Sequence, residues 1–304
     1  MIKNLKHIDV KDQRIIQELL KDARQSISTI AGKVSLSKEV VAYRMHALED
    51  KKIIRAYRTL IEYKSISMQI FEIIIKLNKP LSSREALFFN LSAYPEVLGL
   101  SSFIGEFDYN IIIAVKNNAQ LSFFVNKIKE IFAESLHSIH ILINTSERYM
   151  LASSAKTTDV VLHDSDTNLL SLLIHNSRIS FKDISKKTSY SYPYLSQRVR
   201  LLEKKGVIKA FYADIDFTLL GMKEYGIYLK IPYLSEKEHQ VLLSSLESSE
   251  SVYWYCNFIG EYDLGIAVIL PEEASLSKFL DEFTKPIQKM ILELKSVSYQ
   301  KNKK

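Results

Sequence analysis

The sequence repeats itself, and this repetition limits what the chain can fold into. A pattern that starts at Asp12 starts again at Asp166, 154 residues later, and the two copies align without a gap for more than forty positions. The recurring pairs include Arg24 and Arg178, Ser26 and Ser180, Ser37 and Ser191, Arg44 and Arg198, and Ile54 and Ile208. Further along, Ile104-Gly105-Glu106-Phe107-Asp108 returns as Ile259-Gly260-Glu261-Tyr262-Asp263, one residue later in register. The repetition predicts two tandem units of about 150 residues each.

Composition narrows the class of protein. The 304 residues are 47% hydrophobic, which is enough to build sizeable cores and excludes a disordered chain. No apolar run approaches the length of a membrane span, and the first residues lack the apolar region of a signal peptide. A single Cys256 excludes an internal disulfide framework and is expected to be a small buried hydrophobe. We therefore expect a cytoplasmic protein.

Positive charge is concentrated at the start of each repeat. Residues 3–64 hold 14 Lys and Arg against 8 Asp and Glu, and residues 166–223 hold 10 against 5. The stretches that follow each of them are mildly acidic. One such segment is explained equally well by a solvated lysine-rich surface, but its presence in both repeats favours a polyanionic partner such as DNA.

The front of each repeat has the pattern of three short helices. In the first repeat Asp12 is expected to cap the first helix, and Ser37 the third. The predicted helices begin at Asp12, Ser28 and Lys38, and in the second repeat at Asp166, Phe181 and after Ser191. Gly206 suits a left-handed position after the last helix, where the first repeat has Lys52 and a cap that is strained or differently built is expected. Such a triplet, with a tight serine-containing turn before the third helix, predicts a helix-turn-helix.

The back of each repeat alternates strand-like and helix-like segments. The first repeat predicts Gln69–Leu77, Ser83–Tyr94, Val97–Ile104, Tyr109–Val115, Ala119–Phe132 and Ile139–Tyr149 as strand, helix, strand, strand, helix and strand. The second predicts the same order over Tyr225–Ile231, Ser235–Leu246, Val252–Ile259, Tyr262–Leu270, Ser275–Leu292 and Leu294–Tyr299. The order βαββαβ is that of the ferredoxin-like split motif.

These patterns predict an α+β chain with two helix-turn-helix domains, which are winged-helix-like, and two ferredoxin-like domains. We expect DNA-binding domains at residues 1–64 and 166–223, and regulatory domains at 65–152 and 224–304. The small polar residues within 153–165 are typical of a linker.

This architecture resembles the Lrp/AsnC family of transcription regulators. The resemblance lies in Asp12-x-x-Ile15, Ala23-Arg24-x-Ser26, Leu36-Ser37, Arg44 and Leu48-Glu49, in their second copies, and in the two Gly-Glu-aromatic-Asp turns. It covers nearly the whole chain, twice. It implies a transcription regulator that binds double-stranded DNA and responds in many members to an amino acid held between regulatory domains. Family members usually carry one unit per chain and form dimers, so the tandem implies a covalently fused pseudo-dimer, which further homo-oligomerisation would extend.

The outer face of the third helix in each repeat is predicted to contact DNA rather than only solvent. The predicted contacts are Ser37, Lys38, Tyr43, Arg44 and His46 in the first repeat and Ser191, Tyr192, Gln197, Arg198 and Arg200 in the second. For Arg44 and Arg198, phosphate binding and an internal lock to an acid such as Glu49 or Glu203 are equally expected. Arg24 and Arg178 are expected to serve internal hydrogen bonds. Because the two faces differ, we hypothesise an asymmetric operator.

The turns of the regulatory domains are the predicted effector site. Gly105 and Gly260 are expected at positive φ, and Asp108 and Asp263 either bind the amino group of an effector or hydrogen-bond the turn. His137 and His140 are three apart on a predicted strand and point to opposite faces, so neither a metal nor another cofactor is predicted. The alternative function is that of an enzyme on the same scaffold, such as the siroheme decarboxylases. The stretches that should carry a tetrapyrrole pocket, residues 97–115 and 252–270, contain neither His nor Arg, which argues against it.

Overall fold

The computed structural model describes residues 6–79, 90–149, 162–271 and 276–302. The chain forms two compact units, each drawing on both repeats. One contains Met1–Ile66 and Leu151–Met222, and we call it the head unit. The other contains Ser67–Met150 and Lys223–Lys304, and we call it the sheet unit.

The head unit contains two helix-turn-helix heads. The elements of the first are α1 (Val10–Lys21), α2 (Ile27–Val34), α3 (Lys38–Asp50) and β1 (Ile54–Ile61). Those of the second are α5 (Asp164–His175), α6 (Phe181–Lys187), α7 (Tyr192–Lys204) and β6 (Ile208–Ile215). The three predicted helices of each repeat are thus confirmed. The helices exist because their apolar residues recur at helical spacing and bury one face.

The start of α1 differs from the prediction, whereas the ends of α3 and α7 agree with it. Asp9, not Asp12, caps α1, because its side chain accepts the Asp12 N–H at 2.8 Å while Asp12 lies inside the first turn. At the end of α3 and α7, Lys52 (φ 60°) and Gly206 (φ 73°) both adopt the left-handed conformation. A glycine tolerates this conformation and a lysine is strained by it, as the sequence predicts.

The strands β1 and β6 pair with each other and join the two heads. They form a two-stranded antiparallel ribbon in which Tyr57 faces Ala213 and Arg58 faces Tyr212. Helix α1 packs on β6, and α5 packs on β1, so each head rests on the strand of the other. Accordingly Ala23 and Ile61 of the first head belong to the apolar core built around the second.

The sheet unit contains both ferredoxin-like domains. The first comprises β2 (Gln69–Leu77), β3 (Val97–Gly105), β4 (Tyr109–Val115), α4 (Asn118–Phe132) and β5 (Leu136–Tyr149). The second comprises β7 (Met222–Lys230), α8 (Glu236–Ser248), β8 (Val252–Ile259), β9 (Leu264–Pro271), α9 (Leu276–Thr284) and β10 (Glu293–Asn302). The predicted helix Ser83–Tyr94 lies largely outside the described residues. The strand orders β3-β4-β2-β5 and β8-β9-β7-β10 are those expected for the split motif.

One predicted boundary is wrong. The helix expected to run through Leu292 ends at Thr284, two residues before Pro286. Proline cannot donate to a helical hydrogen bond, and it disfavours the helical conformation of the residue before it. The chain turns there and enters β10 at Glu293.

The two four-stranded sheets continue into one another. β5 pairs with β8 and β10 pairs with β3, so eight antiparallel strands form a closed sheet. Helix α4 covers one outer apolar core, and α8 and α9 cover the other. A third cluster lies on the inner faces, built from Ile74, Phe103, Phe107, Leu142, Tyr228, Cys256, Phe258, Tyr262 and Val297. Cys256 is fully buried, as predicted.

Candidate nucleic-acid interface

The third helix of each head exposes one face and buries the other. In α3 the buried stripe is Val41, Met45 and Leu48, and in α7 it is Leu195, Val199 and Leu202. The exposed positions include every predicted contact except Arg44 and Arg198: Ser37, Lys38, Tyr43, His46, Ser191, Tyr192, Gln197 and Arg200. A short helix with an apolar stripe and an exposed polar face has the shape required to enter a major groove.

The starts of the two helices differ. The Ser37 hydroxyl accepts the Val40 N–H at 3.3 Å and thereby caps α3. Ser191 occupies the same position before α7, but its side chain makes no capping hydrogen bond. Pro193 lies in the first turn of α7, where its missing N–H would be unsatisfied in any case. The second head therefore keeps an exposed serine hydroxyl at the helix start, which the first head uses internally.

Arg44 and Arg198 form internal locks in the structure. Arg198 Nε and Nη2 contact the two carboxylate oxygens of Asp166 at 2.7 and 2.5 Å, and Asp166 is fully buried. Arg44 Nη1 lies 2.7 Å from a carboxylate oxygen of Asp9 and 2.7 Å from one of Asp12. The partners are therefore at the start of the first helix and not Glu49 or Glu203. Each lock ties the third helix of a head to its first.

Burial and the arginine act in opposite directions on the Asp166 carboxylate. Burial alone raises its pKa, whereas the hydrogen bonds from Arg198 and from the His163 N–H lower it. The net pKa lies below the ordinary value of 3.8, so this carboxylate is ionised at neutral pH. A buried, ionised pair with two hydrogen bonds fixes the orientation of α7.

A reciprocal pair of arginines connects the heads. Arg24 Nη1 donates to the carbonyls of Ser177 and Ile179, and Arg178 Nη1 donates to those of Ala23 and Gln25. The internal hydrogen bonding that the sequence predicts for these arginines is present, but it runs from one head to the other. We call this arrangement the arginine clamp.

Aromatic rings complete the arginine clamp. The Arg24 guanidinium lies 4.7 Å from the centre of the Phe181 ring and 5.4 Å from that of Phe211, and Arg178 lies 5.3 Å from that of Tyr57. Burial lowers the pKa of Arg24, and Glu203 opposes this effect. An arginine nevertheless stays charged at neutral pH, so the clamp consists of two partly buried cations on carbonyls and ring faces.

Backbone hydrogen bonds follow the same approximate two-fold pattern. Ala23 N–H donates to Phe211 O at 2.8 Å, and its counterpart Ser177 N–H donates to Tyr57 O at 2.9 Å. In a second such pair, the Glu62 N–H donates to Val207 O at 2.9 Å, and its counterpart, the Asp216 N–H, donates to Ile53 O at 2.8 Å. With the ribbon and the arginine clamp, these contacts make the two heads one compact body.

The Gly-Glu-aromatic-Asp turns of the sheet unit pack tightly. Gly105 (φ 130°) and Gly260 (φ 153°) both have positive φ, as predicted. A Cβ at Gly105 would lie 2.9 Å from Ser296 O of β10, and one at Gly260 would lie 2.8 Å from Ile141 O of β5. Only glycine therefore allows each turn to approach the other ferredoxin-like domain this closely.

The aspartates of these turns bind backbone. Asp108 Oδ2 accepts the Leu77 N–H at 2.9 Å, and Asp263 Oδ2 accepts the Ile231 N–H at 2.7 Å. This is the hydrogen-bonding alternative that the sequence left open. Binding of an effector at Gly105, Asp108, Gly260 and Asp263 stays a prediction.

A buried polar group on the inner face of the sheet unit escaped the sequence analysis. Glu72 on β2 is almost fully buried, and its Oε1 accepts hydrogen bonds from Asn110 Nδ2 at 2.8 Å and from the Tyr228 hydroxyl at 2.7 Å. Burial raises the pKa of Tyr228, and the Glu72 carboxylate raises it further. The signal was a single acidic residue inside the apolar run of β2.

The described residues contain neither a cluster of metal-ligating side chains nor a helix that could span a membrane. No three or more His, Cys, Asp or Glu side chains there come together in a way that could hold a metal ion. No helix there combines the length and the hydropathy needed to cross a bilayer.

The heads match known domain families. Residues 8–49 match the AsnC-type helix-turn-helix domain, and residues 162–209 match a winged helix-turn-helix DNA-binding domain. The transcriptional regulator Ptr1 of Methanocaldococcus jannaschii is 31% identical over 125 residues, which are 40% of this chain and 81% of Ptr1. The proline dehydrogenase transcriptional activator of Rhodobacter capsulatus is 34% identical over 106 residues, 34% of this chain and 68% of the activator. In length, one such regulator corresponds to one of the two repeats.

A solved structure matches the full tandem. The crystal structure of the siroheme decarboxylase NirDL superimposes with a TM-score of 0.64 and covers 96% of this chain and 91% of its own. The sequences are 13% identical, so this likeness concerns the fold alone.

Proposed function

Because the chain belongs to the Lrp/AsnC family of transcription regulators, we propose that α3 and α7 are the two DNA-reading helices of one covalently fused regulator. The chain is a DNA-binding regulator of this type, with two helix-turn-helix heads and two ferredoxin-like domains. What is proposed is which residues meet DNA, how the heads are held, and what modulates them.

The observation that carries the proposal is the rigid pairing of two exposed, basic heads. The ribbon of β1 and β6 and the arginine clamp hold both heads in one compact unit, so the separation of α3 and α7 is set before DNA arrives. Preorganisation of this kind reduces the entropy that is lost on binding. Fusion makes the second head's docking intramolecular, so the pair persists at any dilution.

The proposed contacts fall into two groups. Lys38, Tyr43, His46, Gln197 and Arg200 face outward and reach base edges or phosphates. Three further contacts, Ser37, Ser191 and Tyr192, stand at the helix starts, where phosphates are bound most readily. Arg44 and Arg198 act on DNA through the orientation of the helix, because their charges are already used by internal carboxylates.

An amino-acid effector at the turns of the sheet unit is the second part of the proposal. The Asp108 side chain is 37% exposed and its Oδ2 lies 3.8 Å from Lys76 Nζ, so a ligand's ammonium group would compete with Lys76 for the carboxylate while the Leu77 N–H stays bound. The test is a thermal-shift screen of the twenty amino acids on the full chain and on Asp108→Asn. Asparagine keeps a carbonyl oxygen for Leu77 but lacks the charge, so a specific effector should stabilise only the original chain. Equal shifts for both proteins would remove Asp108 from the site.

A siroheme-decarboxylase-like enzyme is the alternative, supported by the likeness to the fold of NirDL over 96% of this chain. A titration with iron-uroporphyrin, monitored by the absorbance of the tetrapyrrole, distinguishes a regulator from such an enzyme. A regulator should leave the spectrum unchanged, whereas saturable spectral change together with release of carbon dioxide would favour the enzyme.

The experiment that tests the main proposal is selection of double-stranded DNA from a random library at two salt concentrations. We expect a two-part motif spaced by whole helical turns, with affinity that falls steeply as salt rises. A double variant, Gln197→Ala with Arg200→Ala, should lose enrichment. Lys237→Ala changes an exposed lysine of α8 in the sheet unit and serves as the matched control that should not. Absence of enrichment by the unaltered chain would refute the proposal.

A further inference from the structure

The two reading helices occupy equivalent places in the head unit but present different chemistry. They share the same repeat register, an apolar inward stripe and the same lock to the first helix of their head. The exposed pairs in α3 and α7 are Lys38 and Tyr192, Glu39 and Pro193, Tyr43 and Gln197, His46 and Arg200, and Asp50 and Lys204. No pair is identical. The buried stripes also differ, since Val41 and Met45 correspond to Leu195 and Val199, but both stripes stay apolar. The exposed differences, by contrast, change the chemistry that each helix offers to a partner.

Helix α7 carries side chains suited to bidentate reading of bases. Gln197 and Arg200 are three residues apart and therefore lie on the same face of the helix. Glutamine pairs with N6 and N7 of adenine, and arginine pairs with O6 and N7 of guanine. Within the described residues, neither side chain takes part in a hydrogen bond or salt bridge with the protein, and the carboxylate that interacts electrostatically with Arg200, that of Glu203, lies beyond salt-bridge distance. Both are therefore available to a purine-containing half-site.

Helix α3 offers no such pair at the equivalent positions. Tyr43 is 74% exposed and presents an aromatic ring, which suits apolar contact with a thymine methyl group. The His46 ring is 78% exposed, and its Nδ1 lies 3.2 Å from Glu49 Oε2, so one ring nitrogen already faces a protein carboxylate. A single remaining nitrogen discriminates bases less than a bidentate fork does.

Charge differs in the same direction. Over the five exposed pairs α3 carries a formal charge of −1, from Lys38, Glu39 and Asp50, when histidine is left out of the count. Over the same pairs α7 carries +2, from Arg200 and Lys204. Phosphate attraction therefore favours docking of α7, and the acids of α3 oppose it.

We propose that the operator consists of two unlike half-sites at fixed spacing, a dominant adenine- and guanine-containing half read by α7 and a weaker thymine-containing half read by α3. This inference rests on the proposed DNA-reading function and adds its specificity. Because the arginine clamp fixes the heads to each other, the chain binds such an operator in one orientation only. A single bound chain then distinguishes upstream from downstream, which a symmetric dimer on a palindrome does not.

Two exchanges of side chains test the inference. Tyr43→Gln with His46→Arg gives α3 the reading pair of α7, and selection with this variant should return a near-palindrome of the α7 half-site. Gln197→Tyr with Arg200→His gives α7 the pair of α3, and should weaken binding to the original operator by more than a hundredfold. All four positions are exposed, and circular dichroism checks that both variants fold.

Single substitutions provide an independent readout. Arg200→Ala should lower operator affinity ten- to a hundredfold and remove the preference for guanine at one position, whereas His46→Ala should change affinity less than threefold. A perfect palindrome selected by the unaltered chain, or equal losses in the two single variants, would overturn the inference while leaving the DNA-reading function intact. Failure to select any motif would instead refute that function.

Discussion

Replacing Arg24 with alanine should loosen the pairing of the two heads without unfolding either helix-turn-helix. The arginine donates to two carbonyls of the other head and lies over two of its aromatic rings, Phe181 and Phe211. The second hydrogen bond, to Ile179 O at 3.4 Å, is too long to contribute much. We therefore count one charge-assisted hydrogen bond and one partly buried cation–π contact.

Together these contacts are worth about 3 kcal/mol, taking ~2 kcal/mol for the hydrogen bond and ~1 kcal/mol for the ring contact. Hydrogen exchange read by mass spectrometry measures this loss segment by segment. Amides of the β1–β6 ribbon that open with the head pair should exchange roughly a hundredfold faster, because each 1.4 kcal/mol is about a factor of ten. Amides of the sheet unit serve as the internal reference and should keep their rates.

Two variants control this experiment. Arg14→Ala removes an exposed arginine from α1, the helix that precedes Arg24, and should leave the ribbon protected. Arg24→Lys keeps the charge but not the planar fork, and should recover less than half of the loss. If Arg24→Ala and Arg14→Ala have the same effect on the ribbon, the arginine clamp does not hold the heads and the reasoning fails.

Three further predictions concern stability. Asp166→Asn should lower the free energy of unfolding by about 3 kcal/mol at neutral pH because it leaves Arg198 without its buried charged partner. Since the pKa of Asp166 is lowered in the folded protein, this stabilisation is present above the ordinary pKa of 3.8 and is lost as the pH falls through the folded pKa. The circular-dichroism melting temperatures of the two proteins should therefore converge in acid. Gly260→Ala should destabilise the sheet unit by about 2 kcal/mol in tryptophan-monitored denaturation, whereas Gly32→Ala, in an exposed helical position with nothing within 4 Å, should stabilise the head unit. Glu72→Leu should cost about 2–3 kcal/mol in the same assay because it removes the acceptor of two buried donors, and Glu72→Gln less; equal losses would mean that the acceptor is not what matters.

The sequence predicts the fold well because most of its elements depend on local pattern. Apolar spacing, serine caps and the two glycine turns specify where each helix and strand begins, and a ferredoxin-like order follows from their sequence. The exceptions are local as well. The carboxylate that caps α1 is the earlier one, Asp9, and the helix before β10 stops ahead of Pro286.

What the sequence does not predict depends on distant registers. The pairing of β1 with β6 joins segments about 150 residues apart, and no local pattern specifies which edge they share. The arginine clamp follows from that pairing, because Arg24 and Arg178 reach each other's heads only once the ribbon has formed. The same holds for Glu72, whose partner Tyr228 comes from the other repeat.

The two copies share residues at some equivalent positions and differ at others. Several positions that are identical in the two copies form reciprocal contacts between them, such as Arg24 with Arg178 and Gly105 with Gly260, because each copy makes the same approach to the other. In the sheet unit, by contrast, one buried position differs between the copies. The register of β2 and β7 makes Gly226 of the second repeat the counterpart of Glu72 in the first.

Equivalent positions of the two repeats also differ on the inner face of the sheet unit and on the exposed faces of α3 and α7. An added Cβ at Gly226 would lie 3.0 Å from Val297 Cγ2. One at Gly265, the counterpart of Asn110, would lie 2.5 Å from the Phe258 ring. In the second copy apolar side chains therefore fill the space that polar side chains fill in the first. A symmetric dimer cannot diverge in this way, because every change appears twice. Covalent fusion removes that constraint, and the exposed faces of α3 and α7 have diverged under the same freedom. The proposed asymmetric operator is therefore the consequence expected where the two copies, freed from symmetry, differ at the surface proposed to meet DNA.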